Sequence, residues 1–400
     1  MKIMYYVFVS EITYPLLILL VLISILGYGK ILHYYLKINN FFFQAKNFIF
    51  ILGLILVSFF TQIINIKFPI SDNLSILIII LGIIFYIPFF FNNNEKKKEI
   101  FFIIVVILIC YIFTFFSGVN DDYHYQYDTI QNFKKFNIFE ITYNNRISYN
   151  SHWLFLNSIF VINYFPSTTY ILSGLLYSLL IYDCYYLLKL SLKKKLYTSS
   201  VLSFSFLIFF LGVLNNYKEF GTDLPGTIIS FYILILISYF VFDRQTLITK
   251  NIFLVVFILA SFVFIIKITN SLIYLYLIII LFRLDKKVLN LKFLALVLIM
   301  PLMWFFQNIN ISGCLIWPIE ITCFGNNNLA TEELHIIKTF AKGDHMISIG
   351  ASENLKWIKI WINNHLHKII ETYLIFLIIM IYPIIYILLK KLSNKKDFNK

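Results

Sequence analysis

Apolar blocks recur along almost the whole chain, each about 16–20 residues long and separated by short turns that carry lysine. A soluble domain has no use for so many continuous blocks, whereas a bilayer core of roughly 30 Å requires them. With 60% hydrophobic and 13% charged residues among 400, the composition agrees. The fold class expected is an all-α integral membrane protein of about 11 transmembrane helices, with outer-face loops carrying interfacial helices. Spans are expected near 13–29, 47–64, 74–91, 100–117, 168–188, 199–214, 225–242, 251–266, 271–283, 290–306 and 369–389. The stretch 154–165 is left out of that set: it is short, carries Asn157 and Asn163, and stops at Pro166. It is expected to lie along the outer interface. The first apolar run has no small-residue cleavage site and is followed by Lys30 and Lys37, so it is expected to stay as the first helix.

A formal charge of +13 invites a nucleic-acid reading, but the charge follows topology. With the N-terminus outside, the turns 30–46, 92–99, 189–198, 243–250 and 283–292 and the tail 390–400 all fall inside. They hold 21 of the 33 basic residues, while the outer segments hold 14 of the 20 acids. That asymmetry orients a multi-pass protein without a polynucleotide partner. It places the C-terminus in the cytoplasm. Counting 154–165 as a crossing would put Lys193, Lys194 and Lys195 outside.

Polarity concentrates in three outer segments, 118–153, 215–224 and 307–368, which contain six of the seven histidines. In the last of them Leu355, Ile358, Ile362, Leu366 and Ile369 recur at three- and four-residue spacing beside Trp357 and Trp361, the pattern of a helix lying in the interface. Cys314 and Cys323, nine apart in the same loop, could be bridged in an oxidising compartment; Cys110 and Cys184 lie inside spans as packing residues. The domain organisation expected is a three-helix extension (1–99), a seven-helix module with outer loops 118–167 and 215–224 (100–306), an outer amphipathic loop (307–368), and a last span with a basic tail (369–400).

The first outer segment opens Asn120-Asp121-Asp122-Tyr123-His124 and runs through Arg146 to Asn150-Ser151-His152-Trp153. Two adjacent carboxylates repel, so one of them has a raised pKa and is fit to take a proton near neutrality. A solvated helix cap is the plainer explanation of such a pair. His124 two residues on, and Asp223 beside Pro225 in the second turn, weigh toward chemistry. An Asp–Asp–His cluster could hold a hard divalent cation through oxygens, and the sequence leaves metal and cofactor undecided. Lys267 interrupts an apolar run near the outer end of a span, where it snorkels or binds a phosphate. Asp183, near the inner end of its span, reads as a partner for the lysines that follow it.

Tyr123-His124, Ile130, Arg146, Asn150-Ser151 and Trp153 resemble a group of bacterial multi-pass proteins within the type-C (GT-C) glycosyltransferase superfamily. Thr222-Asp223-Leu224-Pro225, and Ser312-Gly313 with Pro318, resemble later segments of that group. The likeness covers roughly residues 100–325. It implies a GT-C-like membrane module in which the first-loop acid, Asp122 or Asp121, is the catalytic base. Asp223 is then the second-loop acid, and His124 orients the base. It further implies a polyprenyl-phosphate sugar donor and a glycan or lipid acceptor at the outer face of a bacterial plasma membrane. Arg146, Lys267, Tyr123, His152 and Trp153 are the expected substrate- or phosphate-binding residues. A phosphate leaving group needs no general acid, so one carboxylate suffices, unlike glycoside hydrolysis. Cations would stabilise the departing charge. An O-antigen-type polymerase or ligase would instead rest on Arg and His. A lipid-linked sugar transporter or flippase would place polar residues at the midplane.

Overall fold

The computed structural model describes residues 2–36, 46–115, 126–141, 150–163, 170–212, 221–240, 250–274, 277, 291–317, 319–324 and 366. The described residues are helical, with one isolated antiparallel bridge between Cys314 and Cys323. Eleven helices are described: α1 (Lys2–Leu36), α2 (Lys46–Asn65), α3 (Asp72–Phe91), α4 (Lys96–Phe115), α5 (Tyr127–Lys135), α6 (His152–Phe160), α7 (Ile171–Lys193), α8 (Tyr197–Gly212), α9 (Asp223–Ser238), α10 (Lys250–Ile266) and α11 (Leu291–Ser312). Residues Met1–Ile311 form one compact unit and Ser312–Lys400 a second.

The protein is a helical membrane protein. Four described stretches, Thr13–Leu36, Lys46–Asn65, Asp72–Phe91 and Ile171–Lys193, are long and apolar enough to cross a bilayer. Shorter apolar helices occupy Tyr197–Phe209, Leu224–Ser238 and Asn251–Ile266. In α4 the first four positions are Lys96, Lys97, Lys98 and Glu99, which leaves 100–115 as its apolar part. Along that part Ile100, Ile104, Leu108 and Ile112 recur every fourth residue and are all exposed. Leu77, Ile80, Leu81, Ile84 and Ile87 form the equivalent stripe on α3. Such large apolar faces turned outward fit a lipid solvent and would be an aggregation hazard in water.

Helices α1, α2 and α3 pack tightly because glycines let their backbones meet. A Cβ on Gly27 would stand 2.0 Å from the Gly82 carbonyl oxygen of α3, and one on Gly53 would stand 2.0 Å from that of Ile25. In lipid no hydrophobic force separates helix from solvent, so close backbone approach at small residues supplies the association. Tyr28 adds a hydrogen bond from its hydroxyl to the Ile78 carbonyl at 2.8 Å.

Helix α6 corrects one expectation. From Leu154 to Ile162 that stretch does not lie on a surface: all nine residues of α6 are buried, and it packs against α2, α3, α5, α7 and α10. It is too short to cross, at roughly 1.5 Å per residue. Two of its polar side chains bond within the helix, Asn157 Nδ2 donating to Trp153 O at 2.9 Å and Ser158 Oγ to Phe155 O at 2.6 Å. With those bonds internal, the helix is enclosed by protein rather than left at an interface.

In the second unit Cys314 and Cys323 form a disulfide, with Leu315 N–H donating to Thr322 O and Phe324 N–H to Gly313 O beside it, both at 2.8 Å. Gly313 has φ +72°, a conformation suited to a residue without Cβ. Of the expected amphipathic stretch 355–369 only Leu366 is described, and it is exposed. The last expected span, 369–389, lies outside the described residues.

Candidate functional site

The polar segment that closes the first long loop is built into the bundle. Asn150 sits at φ 41°, a left-handed conformation that Asn tolerates better than most residues. That turn lets Ser151 cap α6, its Oγ accepting from Trp153 N–H at 3.3 Å while donating to the Ile266 carbonyl at the end of α10 at 2.8 Å. Asn150 O accepts from the Trp304 indole N–H at 2.7 Å. Its Nδ2 donates to Asn308 Oδ1 at 3.0 Å, with Gln307 Oε1 at 3.5 Å. Thus the first loop, the end of α10 and the end of α11 are fastened at one point.

The second turn reaches the same end of the bundle. Asp223 is the first residue of α9, and one turn later Gly226 lies so close to Asn270 that a Cβ would stand 2.3 Å from its Nδ2. Asn270 lies in the short 3-10 turn that follows Lys267. Lys267 is extended (φ −153°, ψ 117°) and half-buried, and its N–H bonds Val263 O at 3.1 Å as α10 ends. The start of the Asp223 helix and Lys267 are therefore gathered beside the Asn150–Ser151 turn.

The remaining predicted residues divide sharply. Asp121, Asp122, Tyr123, His124 and Arg146 lie outside the described residues. His152 and Trp153 are fully buried in α6. Burial pushes the His152 pKa down to about 3, so its imidazole stays neutral at any physiological pH. Neither its two nitrogens nor the Trp153 indole N–H has a hydrogen-bond partner among the described residues. Its ring lies 5.4 Å from that of Phe155. Both side chains face protein interior.

A clamp that spacing did not reveal holds α6 in place. Lys134, at the end of α5, places its ammonium 2.6 Å from Asp72 Oδ1 and donates to Val161 O at 2.6 Å and Ser158 O at 3.1 Å. A cation at the C-terminal carbonyls of α6 and an anion in the first turn of α3 both suit the helix dipoles. Burial lowers the Lys134 pKa, while the Asp72 hydrogen bond and charge oppose the shift. Backbone bonds from Ile70 N–H to Phe133 O and from Ile138 N–H to Asn65 O, each 3.1 Å, tie the same loop across the α2–α3 turn.

The opposite end of these helices carries a second polar cluster. Glu99 Oε1 accepts from the Tyr86 hydroxyl at 2.6 Å and lies 3.5 Å from Lys30 Nζ, and Oε2 pairs with Lys46 and lies 3.5 Å from Asn93 Nδ2. Burial raises the Glu99 pKa, but Lys46, Tyr86 and Lys30 together outweigh it and hold the carboxyl below its ordinary range. Asp183 also belongs here, and its role differs from the expected pairing with the lysines after it. Its Oδ2 accepts from Asn47 N–H at 2.6 Å, capping the first turn of α2. Both facts have one cause: the first turns of α2 and α4 present unpaired N–H groups and lysines that need anions. No group of three metal-binding side chains occurs among the described residues.

Residues 12–398 match the family described as Domain of unknown function (DUF8201). The chain belongs to that family. The DUF8201 match takes in both compact units and every polar cluster above. No curated protein and no solved structure matches this DUF8201 chain.

Proposed function

We propose that the protein is a membrane glycosyltransferase of GT-C type, inverting, that moves a sugar from a polyprenyl-phosphate donor to a surface glycan or lipid acceptor. One observation carries the reading: the Asn150–Ser151 turn, the start of the Asp223 helix and Lys267 come from three separate connections and meet at one end of the bundle. A transferase acting on a lipid-borne headgroup needs that gathering at a membrane surface. Transporters instead place their polar groups at midplane.

In this reading the chain crosses a bacterial plasma membrane eleven times. The N-terminus is outside, the C-terminus is cytoplasmic, and the gathered end faces out. Asp122, with Asp121 second, takes the proton from the acceptor hydroxyl, and His124 orients it. Asp223, the first residue of α9, is the second acid, and Arg146 and Lys267 stabilise the leaving phosphate. His152 and Trp153, enclosed as they are, form the floor beneath the substrate.

The test is sugar transfer from a polyprenyl-linked donor by protein in proteoliposomes. Asp121→Asn/Asp122→Asn is expected to lose at least a hundredfold, with binding of the donor retained. Undiminished transfer removes the acid–base role. Loss on Arg146→Ala with tolerance at both aspartates points to a polymerase or ligase. Movement of the donor across the bilayer without chemical change replaces the transferase by a transporter.

A further inference from the structure

The cluster at the other end encloses a pocket of about 290 Å³ that the transferase reading does not use. Lys46, Asn93, Glu99, Phe102, Tyr182 and Asp183 line it, and Glu95, Lys98 and Tyr186 complete the rim. Its size is near the lower bound for a small-ligand site, roughly 300 Å³. Three helices, α2, α4 and α7, and the turn between α3 and α4 contribute, so this is a built cavity and not a surface dimple.

What the pocket lacks defines what it takes. Both Glu99 oxygens are occupied by Tyr86, Lys30, Lys46 and Asn93. Asp183 is 1% exposed, and its Oδ1 has no hydrogen-bond partner among the described residues, although Oδ2 is satisfied by Asn47 N–H. A carboxylate oxygen unsatisfied at that depth accepts a donor that the described residues do not supply. Phe102 already carries the Lys46 ammonium 5.4 Å from its ring centroid, which leaves the Tyr182 ring, 4.9 Å from that of Phe102, to favour a cationic donor. On the other side Lys46 has N–H donors beyond the one given to Glu99, and Lys98, 77% exposed at the mouth, has donors beyond the one given to Glu95 at 2.5 Å, so an anion fits there. The ligand is therefore a zwitterion with an ammonium deep and an anion shallow. Beside the mouth, Phe101 and Ile104 of α4 and Tyr185 of α7 are exposed apolar surface on helices read as spans. A headgroup that enters here brings its acyl chains along that face.

We infer that this pocket binds the headgroup of an ethanolamine phospholipid, its primary ammonium on Asp183 Oδ1 and its phosphate on Lys46 and Lys98. The site is independent of the transferase chemistry and holds α2, α4 and α7 together through the lipid.

The full-length protein in phosphatidylcholine nanodiscs is the material for the test. Phosphatidylethanolamine, phosphatidylglycerol and soluble phosphoethanolamine are added separately, and retained lipid and melting temperature are read. Phosphatidylethanolamine is expected to be retained at least tenfold over phosphatidylcholine, which has the same phosphate and no N–H donor, and to raise the melting temperature. Asp183→Asn keeps an oxygen for Asn47 N–H and is expected to abolish that preference. Lys98→Gln, an exposed change, is expected to weaken retention about tenfold while leaving the melting of the lipid-free protein unchanged. Equal retention of phosphatidylcholine or phosphatidylglycerol overturns the proposal, as does an unaltered preference in both variants. A melting shift with soluble phosphoethanolamine but none with the lipid assigns the site to a free metabolite and overturns the lipid.

Discussion

Replacing Lys134 by Met tests whether one ammonium holds the closed end of the first loop. All three of its N–H groups are engaged, on Asp72 Oδ1, Val161 O and Ser158 O, and its side chain is 3% exposed. Removing one partner of a buried pair costs about 3–5 kcal/mol. Asp72 retains 14% exposure and can draw in water, so the lower figure applies, about 3 kcal/mol. Asp72→Asn alone leaves the ammonium its two carbonyls and is expected to cost about 2 kcal/mol. The double variant leaves no unpaired charge and is expected to cost no more than the lysine change alone, a coupling of about 2 kcal/mol. Equilibrium unfolding in mixed micelles, followed by circular dichroism, measures the cycle. The pH dependence has a definite sign. Burial lowers the folded Lys134 pKa beneath its ordinary 10.5, so the unfolded chain binds more protons there, and stability rises with pH up to that value. Lys134→Met lacks that rise. A loss under 1 kcal/mol for the single change, or strict additivity in the cycle, refutes the clamp.

Glu99→Gln strands Lys30 and Lys46 and is expected to cost about 3 kcal/mol by the same unfolding assay. Because the folded Glu99 pKa lies below its ordinary 4.5, the wild type keeps this contribution above pH 4.5 and loses it as pH falls through the folded value. The variant is flat in that window. Gly27→Ala drives a Cβ against the Gly82 carbonyl and is expected to cost about 1–3 kcal/mol, read as a lower midpoint with unchanged slope. Thiol labelling of the denatured, unreduced protein is expected to modify Cys110 and Cys184 alone, and all four cysteines after reduction. Cys314→Ser/Cys323→Ser is expected to lose about 2–3 kcal/mol on the loop-entropy scale.

Helix positions were legible because a bilayer leaves so few choices: the apolar blocks near 47–64, 74–91 and 251–266 coincide with α2, α3 and α10 within a few residues. Where a block met charged or proline-bearing flanks it was misjudged in length. α11 runs through Pro301 to Ser312, six residues beyond the expected end, and its tail supplies Gln307 and Asn308 to Asn150. Hydrophobicity could not distinguish an interfacial helix from one enclosed by protein, since both bury an apolar face; α6 was lost on that point. Nor could spacing pair Lys134 with Asp72 or Asp183 with Asn47, because those contacts join residues far apart in sequence. In the candidate site, the sequence singled out the Asn150-Ser151 and Asp223-Leu224-Pro225 segments, which the structure places at the starts of α6 and α9. Their meeting through Ile266 and Asn270 was not legible there.

The enclosure of α6 has a temporal side. Ser151 waits for Ile266, 115 residues downstream, and Asn150 for Asn308, 158 downstream. At ribosomal speeds of about 5–20 residues per second, the later partner emerges roughly 8–30 s after the earlier one. For that interval the Asn150–Ser151 turn lacks these two bonds, and α6 is held by the Lys134 clamp and its packing on α2, α3 and α5. Premature termination before residue 308 therefore leaves α6 in place but the Asn150 amide without its Asn308 partner.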